Sequence, residues 1–187
     1  MTHVELSPGY TARAATMDDV MVATDLFNAC EIAETGEPDY EVDELRGEWA
    51  EYDLGDTVEL VVAPDGTLAG SLTLTDRAHV VVEADCYVHP KHTGRGIGTY
   101  VVRRSEERAV DHLALAPADA KVVLRNYVNA LNPDACRLLE SEGYRPIRYF
   151  WRMSITHDAP PAPPFWPNGF AVRTCVAGED EPAVFAT

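Results

Sequence analysis

The stretch HPKHTGRGIGTYVV, from His89 to Val102, constrains this chain more than any other. A strand-like run, HVVVEADCYVHP, ends at Pro90, and glycines follow at positions 94, 96 and 98. Ile97, Val101, Ser105, Ala109 and His112 then recur at helical spacing. A strand–loop–helix unit of this kind leaves backbone N–H groups uncovered at a helix start. There the helix dipole adds to them and makes an anion site. Thr93, Gly94, Arg95, Gly96, Ile97, Gly98 and Thr99 all lie in reach of such a ligand. Glycine lets a diphosphate approach where a Cβ would collide, and Arg95 brings charge-assisted contacts.

Three phosphate ligands use glycine-rich loops. A nucleotide loop of the Walker type needs Gly-Lys-Ser/Thr at its end; this chain has Gly98-Thr99 with no lysine between them. A dinucleotide fingerprint needs G-x-G-x-x-G after the first strand. Gly94 and Gly96 match it, but Thr99 takes the third place and several strands come earlier. Coenzyme A is the class that stays.

The remaining pattern predicts a mixed α/β (α+β) domain. A strand around YTARAA leads, through Thr16 or Asp18 as a cap, into a helix over Asp18 to Ala33. EVDELRGEWAEY predicts a second helix with Val42, Leu45 and Trp49 on one face. VELVVAPDGTLAGSLTLTD predicts two strands about an Asp65-Gly66 turn. After the loop and its helix, AKVVLRNYVNALN reads as a strand ending near Asn132. PDACRLLESEGY is then a helix opened by Pro133 and closed by Gly143, and RPIRYFWRMSIT is a last long strand. The predicted order is β-α-α-β-β-β-α-β-α-β over residues 1–156. A stiff proline-rich linker occupies 157–169. Residues 170–187 echo the front of the chain, with Arg173 in the place of Arg13, and read as the start of a truncated second repeat or as one extra docked strand.

Charge narrows the partners. The 187-residue chain carries a formal charge of −16, which repels phosphate backbones and makes nucleic acid an unfavourable partner. From Glu31 to Glu59 there are 12 acidic residues against one basic, Arg46. From Lys91 to Arg108 the balance reverses, with 5 basic residues against 2 acidic. Arg103, Arg104 and Arg108 read as a solvated helix face, whereas Lys91 and Arg95 sit in the loop itself. No apolar run approaches the roughly 20 residues of a membrane span, and the first residues lack the basic-then-apolar order of a signal peptide. A cytoplasmic protein without a membrane partner is expected. The cysteines at 30, 86, 136 and 175 are widely spaced. They are expected to be reduced and structural, and no metal is expected.

Two motifs carry a family resemblance. VHPKHTGRGIG resembles the acyl-CoA loop of the GNAT (GCN5-related) N-acetyltransferase superfamily, Q/R-x-x-G-x-G/A after a strand ending in valine. Val88, Gly96, Ile97 and Gly98 match, and Thr93 stands where the family has glutamine or arginine. NPDACRLLESEGY resembles the family's N-x-x-A-x-x-L-Y-x-x-x-G-F through Asn132, Ala135, Leu138, Gly143 and Tyr144, with Leu139 in the tyrosine position. The resemblance spans roughly residues 10–156. It implies acetyl-CoA as the acyl-donor cosubstrate, held along Val88, at Thr93 to Thr99 and near Asn132, which equally suits a helix cap before Pro133. It also implies an N-acetyltransferase that moves the acetyl group to an amine by direct attack in a ternary complex. The alternative is a non-catalytic acyl-CoA-binding module of a tandem protein.

An attacking amine must lose a proton, and the leaving thiolate must gain one. With Leu139 in the tyrosine place, the family's usual acid is missing. Glu83 and Tyr87 are the predicted catalytic residues, with Asp85 as a further base; all three share one face of their strand by parity. The family's acceptor pocket is walled by the first two helices, here the acidic stretch. A cationic amine, either a small molecule or a basic side chain, is the expected acceptor, and the fold also allows a homodimer.

Overall fold

The computed structural model describes residues 5–186. They fall into two compact units, one up to Ile147 and one from Arg148 onward.

The first unit is built on a mixed sheet of five strands in the order β1-β2-β3-β4-β5. β1 (Thr11–Ala14), β2 (Val58–Val62), β3 (Leu68–Arg77) and β4 (Val81–Val88) pair antiparallel in sequence, and β5 (Val123–Asn126) lies parallel to β4. The β2–β3 hairpin turns where Asp65-Gly66 predicts it. Gly66 takes φ +87°, and the Asp65 carboxylate accepts from the Thr67 N–H at 3.0 Å. That pair of contacts closes the turn with chemistry local to four residues.

Helices cover both faces. α1 (Val20–Thr35) and α2 (Val42–Trp49) bury Leu26, Phe27, Leu45 and Trp49 against Val58 and Leu60. α4 (Ile97–Asp111) buries Ile97, Val101 and Ala109 on the opposite face, against Val61, Val82 and Ala84. Strand parity therefore sorts β4. Val82 and Ala84, with Cys86 and Val88 beside them, meet α4, and Tyr87 meets α1. α3 (Leu54–Thr57) is one turn leading into β2, and α5 (Pro133–Ser141) follows β5. The front of α1 is set by Thr16 and Asp19. The Asp19 carboxylate accepts from the Thr16 N–H and hydroxyl, both at 2.9 Å, and from the Arg13 guanidinium at 2.6 and 2.8 Å.

Three sequence expectations need correction, two of them before residue 157. The strand before Asn132 forms only over Val123–Asn126, because its ladder to β4 ends at the pair Ala84–Asn126. The last long strand, over RPIRYFWRMSIT, does not form: residues 145–156 have no regular structure. Its alternation is real, with Ile147, Tyr149, Trp151, Met153 and Ile155 at every second place. Those side chains stay exposed, Trp151 at 85%. A period of two makes a segment competent to pair, but a strand exists only where an edge receives it.

The second unit contains no strand among its described residues and ends in α6 (Glu181–Phe185). The strand expected within residues 170–187 is absent among the described residues, yet the echo of the chain's front appears as geometry. Arg173 grips the Asp180 carboxylate with both terminal nitrogens and donates to its neighbour's carbonyl, as Arg13 does with Asp19 and Ala14. No helix among the described residues is long and apolar enough to cross a membrane.

Candidate active site

The loop begins as a short 3-10 turn, Pro90–His92, capped by His89, whose Nδ1 accepts from the Lys91 N–H at 3.1 Å. The Thr93 hydroxyl closes the turn by donating to the Pro90 carbonyl at 3.1 Å. Gly94 and Gly96 then take φ +72° and +79°, a region that side chains with a Cβ enter only at a cost. Gly96 is the N-cap of α4, and its carbonyl accepts from Tyr100. The N–H groups of Ile97, Gly98 and Thr99 therefore have no acceptor within the helix. Residues 93–96 are exposed, so a ligand can reach these donors.

Side chains hold the loop open. Ser7 donates to the Arg95 carbonyl at 2.6 Å, and Arg95 donates to the Tyr10 hydroxyl at 2.8 Å. Tyr10 in turn meets His92 Nδ1 at 2.9 Å. Gly98 serves packing as well as approach, since a Cβ there would lie 2.9 Å from Leu138 Cδ2 on α5. The other basic residues of this region are spent within the protein. Arg103 pairs with Glu142 at 2.7 Å, Arg104 with Glu59 at 3.1 Å, and Arg108 donates to the Asp56 carbonyl. Lys91 and Arg95 remain the exposed cations of the loop.

β4 and β5 part company just before the loop. Their parallel register runs from Val81–Val123 to Ala84–Asn126 and stops, while β4 continues to Val88 paired only with β3. One backbone edge of β4, from Asp85 to Val88, is thus left without a strand partner among the described residues. At the base of the fork the Cys86 thiol donates to Asn126 Oδ1 at 3.5 Å, and Asn126 Nδ2 is buried without an acceptor. An extended ligand bearing amide carbonyls would satisfy both the edge and this orphaned donor. The Val88 carbonyl is already engaged by the Cys30 thiol at 3.3 Å. Burial raises both thiols to about 12, with nearby acidic groups adding to the effect, which keeps them protonated. All four cysteines are free.

Asn132 caps α5 by accepting from the Ala135 N–H at 3.0 Å, and its amide donates to Glu34 at 2.6 Å. Cap and tether to α1 use both ends of its side chain.

The predicted catalytic residues separate. Glu83 is held by Arg77 at 3.2 Å, by Arg125 at 3.7 Å and by the Tyr127 hydroxyl at 2.9 Å. Tyr87, on the same face of β4, packs against the helices. Its hydroxyl lies 2.6 Å from that of Tyr40, and its ring packs on Phe27 at 4.6 Å. Burial, the Tyr40 hydrogen bond and the charges of Asp85 and Glu31 hold the Tyr87 phenol well above its ordinary value. Asp85 is exposed to solvent, with protein packed around its carboxylate. That crowding, with Glu48 and Glu83 nearby, raises its carboxyl above the ordinary range. No donor or cation engages the Asp85 carboxylate among the described residues. Tyr40 and Asn126 escaped the sequence reading: neither lies in a motif, and each acquires its place from a partner strand or helix. An open depression of about 650 Å³ lined by Met17, Trp49 and residues 50–55 contains none of the loop.

A split between parallel strands thus ends at a helix start whose first N–H groups have no acceptor within the helix. The sequence model of the Acetyltransferase (GNAT) family matches residues 22–144. The chain belongs to the GNAT family. The resemblance carried by its two motifs is borne out, and so is the mixed α/β class of its fold. This GNAT chain is 33% identical over 123 residues to a mycothiol acetyltransferase of Saccharopolyspora erythraea, which covers 64% of this chain and 41% of that protein. It is 34% identical over 129 residues to that of Salinispora arenicola, covering 67% and 38%. A GCN5-related N-acetyltransferase from Sphaerobacter thermophilus superposes with a TM-score of 0.83 at 41% identity, over 97% of this chain and 58% of that one. A putative acetyltransferase from Salmonella typhimurium, solved with its cofactor acetyl-CoA, shares the fold at 23% identity and a TM-score of 0.57, over 73% and 80% of the two chains. The GNAT chain therefore spans less than half the length of the curated relatives it matches.

Proposed function

We propose that this GNAT chain is an acetyl-CoA-dependent N-acyltransferase, in which an amine attacks the bound acetyl thioester directly in a ternary complex. The observation that carries this reading is the fork. It joins an unpartnered β4 edge to the free N–H groups at the start of α4, and Asp85 and Tyr87 stand on the neighbouring face. Acetyl-CoA supplies an activated acetyl group as a thioester. Thr93 to Thr99 would hold its diphosphate, with Arg95 adding charge. The β4 edge near Val88 would pair with its arm, and Asn126 Nδ2 would find an acceptor there.

The base is assigned to Asp85 rather than Glu83, because the oxygens of Glu83 are taken by arginines and a tyrosine. A carboxyl raised by crowding is better matched to an amine at neutral pH than an ordinary one. Tyr87, kept protonated, is a fixed hydroxyl on the same face of β4 and is proposed as a catalytic residue. Glu31 and Glu48 add negative potential around the tyrosine pair, which favours a cationic amine. The curated relatives are named for a small molecule, mycothiol, and that supports a small-molecule acceptor over a protein side chain.

The test is calorimetry with acetyl-CoA followed by thiol release with a panel of amines. Binding with amine-dependent release is the expected outcome. Binding without release across a broad panel assigns the chain to the non-catalytic acyl-CoA-binding module, a reading favoured by Leu139 in the tyrosine position. Absence of binding removes both. We further propose that residues 170–187 open a second copy of the domain, on the strength of the repeated Arg–Asp clasp.

A further inference from the structure

At the other end of β4, about 25 Å from the loop for a strand of this length, three side chains converge that the acyltransferase reading does not use. Asp76 closes the β3–β4 turn, accepting the His79 N–H at 3.1 Å. Ala78 and His79 sit at φ +52° and +57°, and the His79 ring meets that of His112 with centroids 5.2 Å apart. His112 is the C-cap of α4. His79 Nδ1 and His112 Nδ1 lie 2.9 Å apart. Asp76 Oδ2 is 3.4 Å from the first and Asp76 Oδ1 is 3.8 Å from the second. The ligand atoms of this trio all fall within 4.8 Å of one another.

We propose that Asp76, His79 and His112 bind a divalent cation of the zinc class. Two ring nitrogens that face each other must either share a proton or share a cation. The carboxylate beside both supplies the negative charge that favours the cation. A tetrahedral ion with bonds of ~2.0–2.1 Å spaces its ligands ~3.3 Å apart, and the observed separations bracket that value. Two imidazoles and one carboxylate are a donor set suited to Zn²⁺ or Co²⁺, with water completing the fourth position. The two histidines are half-buried and Asp76 is exposed, at the end of a 15-residue helix, where positive charge also complements the helix dipole. Bound there, the ion pins the hairpin turn to the helix whose first turn forms the anion loop. Its role is structural, and it takes no part in acyl transfer.

The test uses the whole chain, stripped with a chelator and dialysed. Zn²⁺ is titrated by calorimetry and Co²⁺ by visible absorption. One equivalent of each should bind, the Co²⁺ form should show the intense d–d bands of a four-coordinate site, and Zn²⁺ should raise the melting temperature. H79A and H112Q should each weaken Zn²⁺ binding by at least about tenfold, and D76N by about tenfold, a loss of the order seen when a metal site is disturbed. Far-UV circular dichroism identifies the variants that keep the fold, and H112Q, which alters no turn residue, serves where H79A does not. Zn²⁺ binding undiminished in folded H112Q, or no binding by the parent chain at micromolar metal, overturns the proposal. Loss of binding on replacing His89 and His92 instead would also overturn it. Acyl-CoA binding is read separately at the loop, so failure here leaves the proposed acyltransferase untouched.

Discussion

Asp85 is the carboxylate near the fork whose chemistry departs from its ordinary behaviour. Its carboxyl is raised by crowding first, and by Glu48 and Glu83 after that. Its basic form therefore fills only above the ordinary carboxylate range near ~4. The rate with a good amine should rise along an acid limb displaced upward from that range. D85N should remove the limb and lower turnover by about 10²–10⁴-fold, while calorimetry shows acetyl-CoA affinity unchanged. E83Q should leave the limb in place. Asp19 shows the opposite case. The Arg13 guanidinium, with help from Thr16, holds its carboxyl down at about 2. A lowered folded value adds stability above the unfolded value and loses it as pH falls toward the folded one. D19N should therefore cost about 2 kcal/mol at pH 7, the worth of hydrogen bonds to a charged group. The gap to the parent, read by urea melts, should narrow between pH 4 and pH 2.

Glycines show how elements meet around the fork. A Cβ on Gly70 of β3 would lie 2.8 Å from the Tyr87 carbonyl and 2.9 Å from Ile97 Cγ2, and a backbone carbonyl cannot move aside. On Gly98 the obstacle is the tip of Leu138, which can rotate away. G70A should therefore destabilise by about 1–3 kcal/mol in denaturant melts, whereas G98A should stay within about 1 kcal/mol of the parent, helped by alanine's better helix propensity. If acetyl-CoA affinity in G98A falls while stability holds, the close approach at the helix start belongs to the ligand. An unchanged affinity would leave Gly98 a packing residue. Elements also explain which sequence readings carried over. The Asp65-Gly66 turn, the Asn132 cap and the Gly96 helix start are each decided by contacts within a few residues, so their signals are complete in the local sequence. The strand over 145–156 was misread because its alternation is local but its partner is not.

At the scale of the molecule, charge is partitioned rather than merely negative. Arg103 and Arg104 are neutralised by Glu142 and Glu59, Arg108 donates to the Asp56 carbonyl, and acidic groups of α1 and α2 lie near the Tyr40–Tyr87 pair. A cationic acceptor should therefore show a KM that rises with ionic strength, since the Debye length shortens from about 10 Å at 0.1 M to 3 Å at 1 M. A neutral amine acceptor should show little change in the same salt series. Equal salt dependence for both would assign the acidic stretch to solubility alone.

The sequence by itself determined the loop, the elements that bracket it, the helix caps and the family, because a strand ending in glycines before a helix start is local chemistry. It also placed Glu83, Asp85 and Tyr87 on one face of β4, since parity along a strand needs no partner. Only the tertiary structure decided which of them is available. Arg77 and Arg125 come from the strands on either side and take Glu83, while Tyr40 arrives from beyond α1 to meet Tyr87. The fork itself is a property of two strands that stop pairing. The trio of Asp76, His79 and His112 joins a turn to a helix end 33 residues away. Contacts of that reach depend on how the sheet twists under its helices, and no spacing along the chain records it.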